Sequence, residues 1–252
     1  MLAIHCSLAH AGVWRAVGEA LGDLCTTTAY DLPMHGRSAP WDGTGDIHDL
    51  ATEMGRSLLK APMDVIGHSF GATVALRLAI ETPALVRSVT LIEPVYFAAA
   101  MADGLVSKEG FASANPGFEA ALEAGDMMEA ARAFNRGWGD GTGWDRIPEA
   151  TRQYMAERIH FVPASTAALH DDSAGLLRPG RFAQATMPAL LLEGSTSPPA
   201  MGAILDSIER RLPNVTRAKV AGAGHMAPLT HPAEVAAEVR RLLARVPVSE
   251  VV

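Results

Sequence analysis

Short apolar runs alternate with amphipathic segments along most of this chain of 252 residues. Apolar runs bounded by turn residues are typical of buried strands, and apolar residues recurring every three or four positions are typical of helices. The runs predict strands at Leu2–Cys6, Thr26–Asp31, Met63–Ile66, Ser88–Ile92, Ala189–Glu193 and Arg217–Ala221. Helical patterns lie between or after these runs, at Gly12–Asp23, Asp46–Lys60, Ala72–Glu81, Met201–Arg211 and Pro232–Val246. This alternation indicates an α/β fold with a mostly parallel sheet.

The alternation is interrupted between residues 98 and 185, where helical patterns continue without a convincing strand. The clearest helical patterns there are Glu119–Gly137 and Glu149–His160. We therefore predict a core domain of residues 1–97 and 186–252 and a helical lid or cap of residues 98–185. An insert at this point would lie over the carboxyl ends of the strands, where open α/β sheets bind their ligands.

Large apolar side chains are frequent in and beside this insert. Most of them are expected to form the insert's own core, because apolar residues at helical spacing usually pack inside. Those that face the sheet would favour a substrate with an apolar acyl or alcohol group. The residues concerned are Phe97, Met101, Phe111, Phe118, Met127, Met128, Phe134, Trp138, Trp144 and Phe161.

The composition is that of a globular protein and restricts its partners. Hydrophobic residues make up 48% of the chain, charged residues 19%, and the net charge is −7. Without a basic run, neither nucleic acid nor an anionic membrane surface is an expected partner. No apolar segment approaches the ~20 residues of a membrane-spanning helix, and Met1–His5 lacks the features of a signal peptide. Cys6 and Cys25 form no disulfide framework or zinc-ligand pattern, so we expect a cytoplasmic protein without a metal.

The stretch Gly67-His68-Ser69-Phe70-Gly71 joins the predicted strand Met63–Ile66 to the predicted helix Ala72–Glu81. In a G-x-S-x-G turn of this kind, the serine occupies a sharp corner with its hydroxyl exposed above the sheet. The glycines let the two backbones approach closely, and the helix N-terminus favours developing negative charge. Ser69 is therefore the predicted nucleophile of an acyl transfer. The alternative interpretation is a glycine-rich turn that contains a serine by chance.

Among nine histidines, His225 has the setting of a catalytic base. It lies in the glycine-rich stretch Ala221–Pro228, directly after the last predicted strand, from which it can reach over the sheet to Ser69. We predict that His68 is structural and that His231 begins a helix. The histidines predicted to be surface or lid residues are His35, His48, His160 and His170.

The developing oxyanion of an acyl transfer needs two N–H donors. One is predicted to be the amide of Phe70, the residue after the nucleophile. The other should come from the loop after the first strand. There we favour the Ser7 amide, with the Leu8 amide as the alternative.

Four blocks of the chain together resemble the α/β-hydrolase fold serine hydrolases. They are His5-Cys6-Ser7 before Trp14, Tyr30-Asp31-Leu32 with Gly36-Arg37-Ser38, the Gly67–Gly71 turn, and Gly224-His225 before His231-Pro232. The resemblance extends over nearly the whole chain, and the order of serine before histidine is the order in that fold. It implies the fold but no particular substrate, because the superfamily hosts many chemistries.

Two departures from the family pattern stand out. The family usually begins with a β-hairpin that has no counterpart here, so we expect about six strands and an exposed edge that a homodimer could cover. The family's usual acid follows the next-to-last strand in a pattern like Gly-x-x-Asp, and Ser197 occupies that place in Gly194–Pro198. A serine cannot carry the negative charge that orients His225.

Glu93 is the predicted replacement acid. It ends the strand that follows the nucleophile strand in sequence, and neighbouring strands lie only ~4.8 Å apart. Some members of the family, including haloalkane dehalogenases, place their acid at the end of this strand. An ionisable residue after an apolar run also needs a partner, which could instead be a basic residue of the lid. Glu193, at the end of a later strand, is the reserve candidate.

The nucleophile narrows the expected reaction. Dehalogenase and epoxide-hydrolase relatives use aspartate at this turn, so Ser69 implies an acyl-enzyme intermediate. We predict a carboxylic-ester hydrolase without metal or organic cofactor, acting on small esters with apolar groups. The residues predicted to contact substrate are Leu8, Met34, Trp138 and Met226. The alternatives are a carbon–carbon bond hydrolase of the meta-cleavage product type with the same serine, and a non-catalytic ligand-binding protein, which the missing aspartate at Ser197 leaves open.

Overall fold

A six-stranded parallel sheet forms the centre of the protein, as seen in a computed structural model that describes residues 1–107 and 117–246. The strands are β1 (Leu2–Ile4), β2 (Thr28–Tyr30), β3 (Met63–His68), β4 (Val86–Ile92), β5 (Ala189–Gly194) and β6 (Val215–Val220). They lie in the order β2-β1-β3-β4-β5-β6, and each neighbouring pair is parallel. The prediction of six strands in a parallel α/β sheet is confirmed. The predicted homodimer stays a prediction.

Helices connect the strands and flank both faces of the sheet. The α-helices are α1 (Arg15–Ala20), α2 (Ile47–Leu58), α3 (Phe70–Glu81), α4 (Phe97–Ala102), α5 (Phe118–Glu123), α6 (Met127–Trp138), α7 (Glu149–Arg158), α8 (Phe161–Ala164), α9 (Thr166–Asp171), α10 (Pro199–Glu209), α11 (Ala227–Thr230) and α12 (Pro232–Leu243). Short 3-10 helices lie at Ala11–Trp14, Pro83–Leu85, Trp144–Arg146 and Phe182–Gln184. No helix of the described residues is long and apolar enough to span a membrane.

Side chains of the central strands alternate between two hydrophobic cores, one on each face of the sheet. Leu2, Val65 and Leu191 point into the larger core, which α2, α3 and α10 cover. Ile66 and Leu192 point into the smaller core, which α1 and α12 cover. Full burial of each such side chain contributes about 1.5–3 kcal/mol relative to exposure, so both faces of the sheet stabilise the fold.

The register of the strands brings their carboxyl ends to one edge of the sheet. Ile4 pairs with Gly67 across β1 and β3, and His68 pairs with Ile92 across β3 and β4. The residues that follow these three strands therefore start from neighbouring positions. This places the loop after β1, the turn after β3 and Glu93 after β4 around a common space.

Between residues 98 and 185, the described residues form helices and the segments that join them, and they contain no strand. The predicted single helix Glu119–Gly137 is in fact two helices, α5 and α6. Gly125 adopts a left-handed conformation, with φ of 73°, that a helix cannot continue through. Asp126 then caps α6, because its side chain accepts a hydrogen bond from the Glu129 amide.

A small apolar cluster of its own stabilises this helical segment. Ala130, Ala131, Ala156 and Ile159 pack together there, and Leu8 joins them from the loop after β1. The segment thus contacts the sheet domain next to the predicted oxyanion loop. Phe111, one of the apolar residues considered above, lies outside the described residues.

Buried histidines are a feature that the sequence did not predict. His35 and His48, expected at the surface or in the lid, are only 0% and 2% exposed, so that prediction is wrong. Burial lowers the pKa of His35 and His48 to about 4 and that of His5 to about 3, and it holds the pKa of His68 well below the usual 6.5. These four rings are therefore neutral in the folded protein near pH 7.

We expect the free energy of unfolding to fall as the pH falls from 6.5 towards about 4. Above pH 6.5 the rings are neutral in both states, whereas below it only the unfolded chain takes up protons. Each buried ring then lowers the free energy of unfolding by about 1.4 kcal/mol per pH unit. Urea unfolding across this range measures the slope. It should become shallower in His48→Gln and stay unchanged in the matched control His160→Gln, because His160 is exposed. Equal slopes in both variants would contradict the assignment.

Candidate active site

Ser69 occupies the sharp corner between β3 and α3. Its backbone has φ of 56° and ψ of −119°, a conformation that costs a non-glycine residue about 1–3 kcal/mol. The corner persists because the amide of Ser69 donates to the carbonyl of Ile92 at 2.9 Å, and because strand and helix approach without side chains between them. A Cβ on Gly67 would meet the Gly71 carbonyl oxygen at 2.2 Å, and one on Gly71 would meet the Ile4 carbonyl oxygen at 2.3 Å.

The close approach at Gly71 leads to a stability prediction. Gly71→Ala should lower the free energy of unfolding by about 3 kcal/mol or more, because backbone atoms would have to move. The matched control is Gly202→Ala in α10, where an added Cβ meets nothing within 4 Å. That change should be neutral or slightly stabilising, since alanine has the higher helix propensity. Chemical denaturation of both variants compares them, and a Gly71→Ala protein as stable as Gly202→Ala would refute the packing argument.

His225 and Glu93 form a buried hydrogen-bonded pair. His225 Nδ1 lies 3.1 Å from Glu93 Oε2, and the two residues are 4% and 0% exposed. Glu93 Oε1 accepts hydrogen bonds from the Gly194 amide and from the Ser197 hydroxyl, both at 2.7 Å. The two carboxylate oxygens thus contact three hydrogen-bonding groups, and the bond to Nδ1 leaves Nε2 as the free nitrogen of the imidazole.

Neither Ser197 nor Glu193 is hydrogen-bonded or ion-paired to His225 among the described contacts. Ser197, at the place of the family's usual aspartate, donates its hydroxyl to Glu93. Glu193 is paired with two basic residues of β6, at 3.1 Å from Arg217 and 2.9 Å from Lys219. Of the carboxylates considered, the structure therefore brings only Glu93 to His225.

Two aromatic rings hold His225 from other sides. His68 Nε2–H donates to the His225 carbonyl at 2.8 Å, and the two rings lie 5.1 Å apart. The Trp138 ring meets the His225 ring edge to face at 4.8 Å. Within the described residues, no hydrogen bond joins Ser69 Oγ to His225. Such bonds often form only when a substrate closes the site.

Ser7 and Phe70, whose amides are the two predicted oxyanion donors, lie in the loop after β1 and at the start of α3. In residues 1–107 and 117–246, the amides of Ser7 and Phe70 donate to no acceptor of the protein. The Leu8 amide, the alternative donor, is occupied, because it donates to His35 Nε2 at 3.0 Å. The free amides of Ser7 and Phe70 can therefore receive a ligand oxygen.

Two cavities meet at Ser7. The inner cavity has a volume of about 260 Å³, and Ser69 is one of the residues that line it. The outer cavity has a volume of about 560 Å³. Ser7, Phe134 and Trp138 line both cavities. The apolar residues of the inner cavity are Val95, Phe97, Phe118, Leu122, Phe134, Trp138, Val162, Pro163 and Leu169.

The residues predicted to contact substrate are distributed unequally over these cavities. Trp138 lines both, whereas Leu8 and Met226 line the outer one. Met34 is found in the lining of neither cavity and packs against the larger core instead. Its left-handed backbone, with φ of 67°, belongs to the loop that follows β2.

No group of three or more His, Cys, Asp or Glu side chains in the described ranges could hold a metal ion. Cys6 and Cys25 are both free thiols, and burial raises the pKa of the Cys6 thiol to about 12. Cys6 is therefore not a competing nucleophile. Among the described residues, the polar side chains that line the inner cavity are those of Ser7, Ser69, Glu119, Ser165, Thr166 and His170. His225 contacts Trp138, which belongs to the same lining.

Comparison with known proteins shows which family and which relatives the chain resembles. A sequence model of the alpha/beta hydrolase family matches residues 1–238. The chain is 37% identical over 104 residues to the dihydrolipoyllysine-residue acetyltransferase component of the acetoin cleaving system of Cupriavidus necator, covering 40% of this chain and 27% of that protein. It is 35% identical over 92 residues to the pimeloyl-(acyl-carrier protein) methyl ester esterase of Nitrosomonas europaea, covering 36% of each. The chain thus spans well under half the length of these two relatives.

A further relative and a crystal structure match most of the chain. The 2-(acetamidomethylene)succinate hydrolase of Mesorhizobium japonicum is 28% identical over 244 residues, which cover 89% of this chain and 81% of that protein. The crystal structure of Cfl2 from Burkholderia cenocepacia superposes with a TM-score of 0.72 at 21% identity, covering 95% and 86% of the two chains. The sheet order, the strained serine corner and the match to the family over residues 1–238 agree, and the chain belongs to the alpha/beta hydrolase family.

Proposed function

We propose that the protein hydrolyses carboxylic esters through a Ser69–His225–Glu93 triad. The observation that supports this most is the buried contact between His225 Nδ1 and Glu93, which directly follows β4, the strand beside the nucleophile strand β3. A carboxylate in that position fixes the imidazole with its proton on Nδ1, so that Nε2 can act as a base. A binding protein would have no need for this arrangement beside a strained serine.

In the proposed reaction, Ser69 Oγ attacks the ester carbonyl carbon while His225 Nε2 takes the hydroxyl proton. The amides of Ser7 and Phe70 hold the oxygen that becomes negative. The tetrahedral intermediate expels the alcohol, which receives the proton from His225, and leaves an acyl group on Ser69. A water molecule, deprotonated by His225, then releases the acid and restores the serine.

The lining of the inner cavity supports an apolar acyl group. Its described lining contains no lysine or arginine, and its one carboxylate, Glu119, is exposed. Burial of a charged substrate group there would be costly without a partner of opposite charge. We propose that residues 98–185 act as the lid that shapes this cavity, since Phe97, Trp138 and Leu169 line it from within or beside that segment.

A second candidate is a hydrolase of a different bond. The relative whose match covers 89% of this chain is named for 2-(acetamidomethylene)succinate, a compound with two carboxylates and an acetamido group. The same serine could also serve a carbon–carbon bond hydrolase. The described lining of the inner cavity contains His170 but no lysine or arginine, which argues against a dicarboxylate, and ester hydrolysis is the better-supported proposal.

Hydrolysis of p-nitrophenyl esters from acetate to octanoate tests the proposal. We expect turnover that requires Ser69, with butyrate to octanoate preferred over acetate because the inner cavity is apolar. A vinylogous diketone and 2-(acetamidomethylene)succinate, assayed in parallel, test the second candidate. Turnover of either without any ester turnover would replace the ester proposal. No turnover of any compound, in a protein that still binds them, would identify a ligand-binding protein.

A further inference from the structure

Two buried histidines exchange hydrogen bonds between the loops that follow β1 and β2. His5, on the first loop, accepts the amide hydrogen of Leu32 at Nε2 over 2.9 Å. His35, on the second loop, accepts the amide hydrogen of Leu8 at Nε2 over 3.0 Å. The two rings meet edge to face at 5.3 Å. Each loop therefore supplies a ring acceptor to the backbone of the other.

The surroundings of His35 fix which of its nitrogens is the acceptor. Its Nδ1 lies 2.8 Å from the Pro33 carbonyl oxygen, which can only accept a hydrogen bond. The proton is therefore on Nδ1, and Nε2 presents its lone pair to the Leu8 amide. Because His35 is completely buried, no water replaces this acceptor, and the Leu8 N–H would be left unsatisfied without it.

Leu8 needs this restraint because its backbone is strained. It has φ of 61°, and such a conformation in a non-glycine residue persists only where its surroundings enforce it. Two contacts hold Leu8 in this conformation. Its N–H donates to His35, and its side chain packs in the apolar cluster of the helical segment. A third restraint acts on Ala9, the next residue, because the Tyr154 hydroxyl donates a hydrogen bond to the Ala9 carbonyl at 2.8 Å.

The same histidine also contacts the other side of the proposed oxyanion hole. The His35 ring meets the Phe161 ring at 4.6 Å, and Phe161 meets the Phe70 ring at 4.7 Å. Phe70 supplies one of the two free amides, and Ser7, directly before Leu8, supplies the other. The buried ring of His35 is thus connected, through Phe161 and through Leu8, to both residues whose amides border the space next to Ser69.

We propose that His35 is a positioning residue of the oxyanion hole. By accepting the Leu8 N–H through Nε2, it holds the peptide between Ser7 and Leu8 so that the Ser7 amide stays directed at the oxygen of the transition state. His35 itself touches no substrate, and it is absent from the described lining of both cavities. This inference rests on the proposed ester hydrolysis and adds a residue that acts through the Ser7 amide.

The test compares two substitutions that differ in where they place an acceptor. The side-chain amide of His35→Gln reaches the position of Nε2 and can accept from Leu8, whereas that of His35→Asn reaches only the position of Nδ1. We expect kcat for p-nitrophenyl butyrate to fall about 10- to 100-fold in His35→Asn, a fraction of the loss of a whole oxyanion donor. It should be largely rescued in His35→Gln, and KM should stay within about threefold in both variants.

Inhibition by butylboronic acid gives a readout that a purely structural role would not change. The boronate forms a tetrahedral adduct with a nucleophilic serine, so its inhibition constant should weaken in His35→Asn by the same factor as kcat/KM. Thermal midpoints of both variants and labelling of Ser69 by a fluorophosphonate confirm that they are folded. If His35→Asn does not fold, a His35→Gln protein with wild-type boronate affinity and kcat still supports the inference, and one with reduced values overturns it.

The contradicting outcomes are distinct from failure of the proposed function. Wild-type kcat and boronate affinity in His35→Asn would overturn the role of His35 and leave ester hydrolysis intact. Equal losses in both variants that follow their loss of thermal stability would reduce His35 to a structural residue. A wild-type protein that hydrolyses no ester and binds no boronate would instead overturn the proposed function, and the inference with it.

Discussion

The Ser69→Ala protein is expected to hydrolyse p-nitrophenyl butyrate with a kcat about 10⁵- to 10⁶-fold below that of the wild type. Without the hydroxyl no acyl-enzyme can form, and the remaining groups can only stabilise attack by water. Steady-state kinetics with enough enzyme to detect single turnovers measure the loss. The change removes one atom from a corner whose backbone is already fixed, so the thermal midpoint should hardly move.

A second serine of the same cavity provides the control. Ser165 lines the inner cavity, but its hydroxyl donates to the Val162 carbonyl at 2.7 Å. Ser165→Ala should retain most of the wild-type kcat. A Ser69→Ala protein that keeps more than a small fraction of its activity, or a larger loss in Ser165→Ala, would show that Ser69 is not the nucleophile.

Glu93→Gln is expected to lower kcat by about 10⁴-fold with little change in the fold. The reason lies in the two donors to Oε1, the Gly194 amide and the Ser197 hydroxyl, which will keep the carbonyl oxygen of the new amide on their side. Its NH₂ group then faces Nδ1 of His225. The imidazole must accept there and carry its proton on Nε2, so it can no longer act as a base towards Ser69. Kinetics at saturating ester measure the effect.

Glu193→Gln is the matched control for the acid. Glu193 also ends a strand, but its carboxylate is bound by Arg217 and Lys219. Its replacement should leave kcat within a few-fold of the wild type, because no contact links it to His225. If Glu193→Gln had the larger loss, the reserve candidate would be the acid, and a Glu93→Gln protein with normal kcat would exclude Glu93.

Most of the fold could be predicted because two patterns are strong in the sequence: the short apolar runs of the strands and the apolar residues at every third or fourth position of the helices. The apolar runs marked all six strands, most clearly the central ones, which are buried on both faces and need no polar alternation. The single helix predicted at Glu119–Gly137 was wrong for a local reason. Gly125 followed by Asp126 is a helix stop and a helix cap in sequence, and the apolar periodicity that continues past them hid the break.

The sequence could predict which residues of the proposed site lie near one another where each residue directly follows, or lies shortly after, a strand. Ser69, His225 and Glu93 each lie at a strand's carboxyl end, and parallel strands bring such ends together. The hydrogen bond from Ser197 to Glu93 was not predictable, because it depends on how two loops meet. Ser197 thus remains at the site as a donor to Glu93, although it cannot be the acid.

The buried histidines show what sequence patterns cannot supply. His5 and His35 follow strands in loops without periodicity, so nothing in the chain marks them as buried. Their burial depends on a partner amide that lies 27 residues away in each case. Met34 is the opposite case. It was predicted to contact substrate, but its backbone is left-handed and its side chain packs against the larger core.

Trapping of the acyl-enzyme tests the central claim most directly. The protein would be mixed with p-nitrophenyl butyrate, quenched in acid within milliseconds, and examined by intact mass and peptide mapping. We predict a mass increase of one butyryl group, located on Ser69 and absent from Ser69→Ala. A wild-type protein that turns over the ester without a covalent adduct, or one acylated at another residue, would contradict the mechanism.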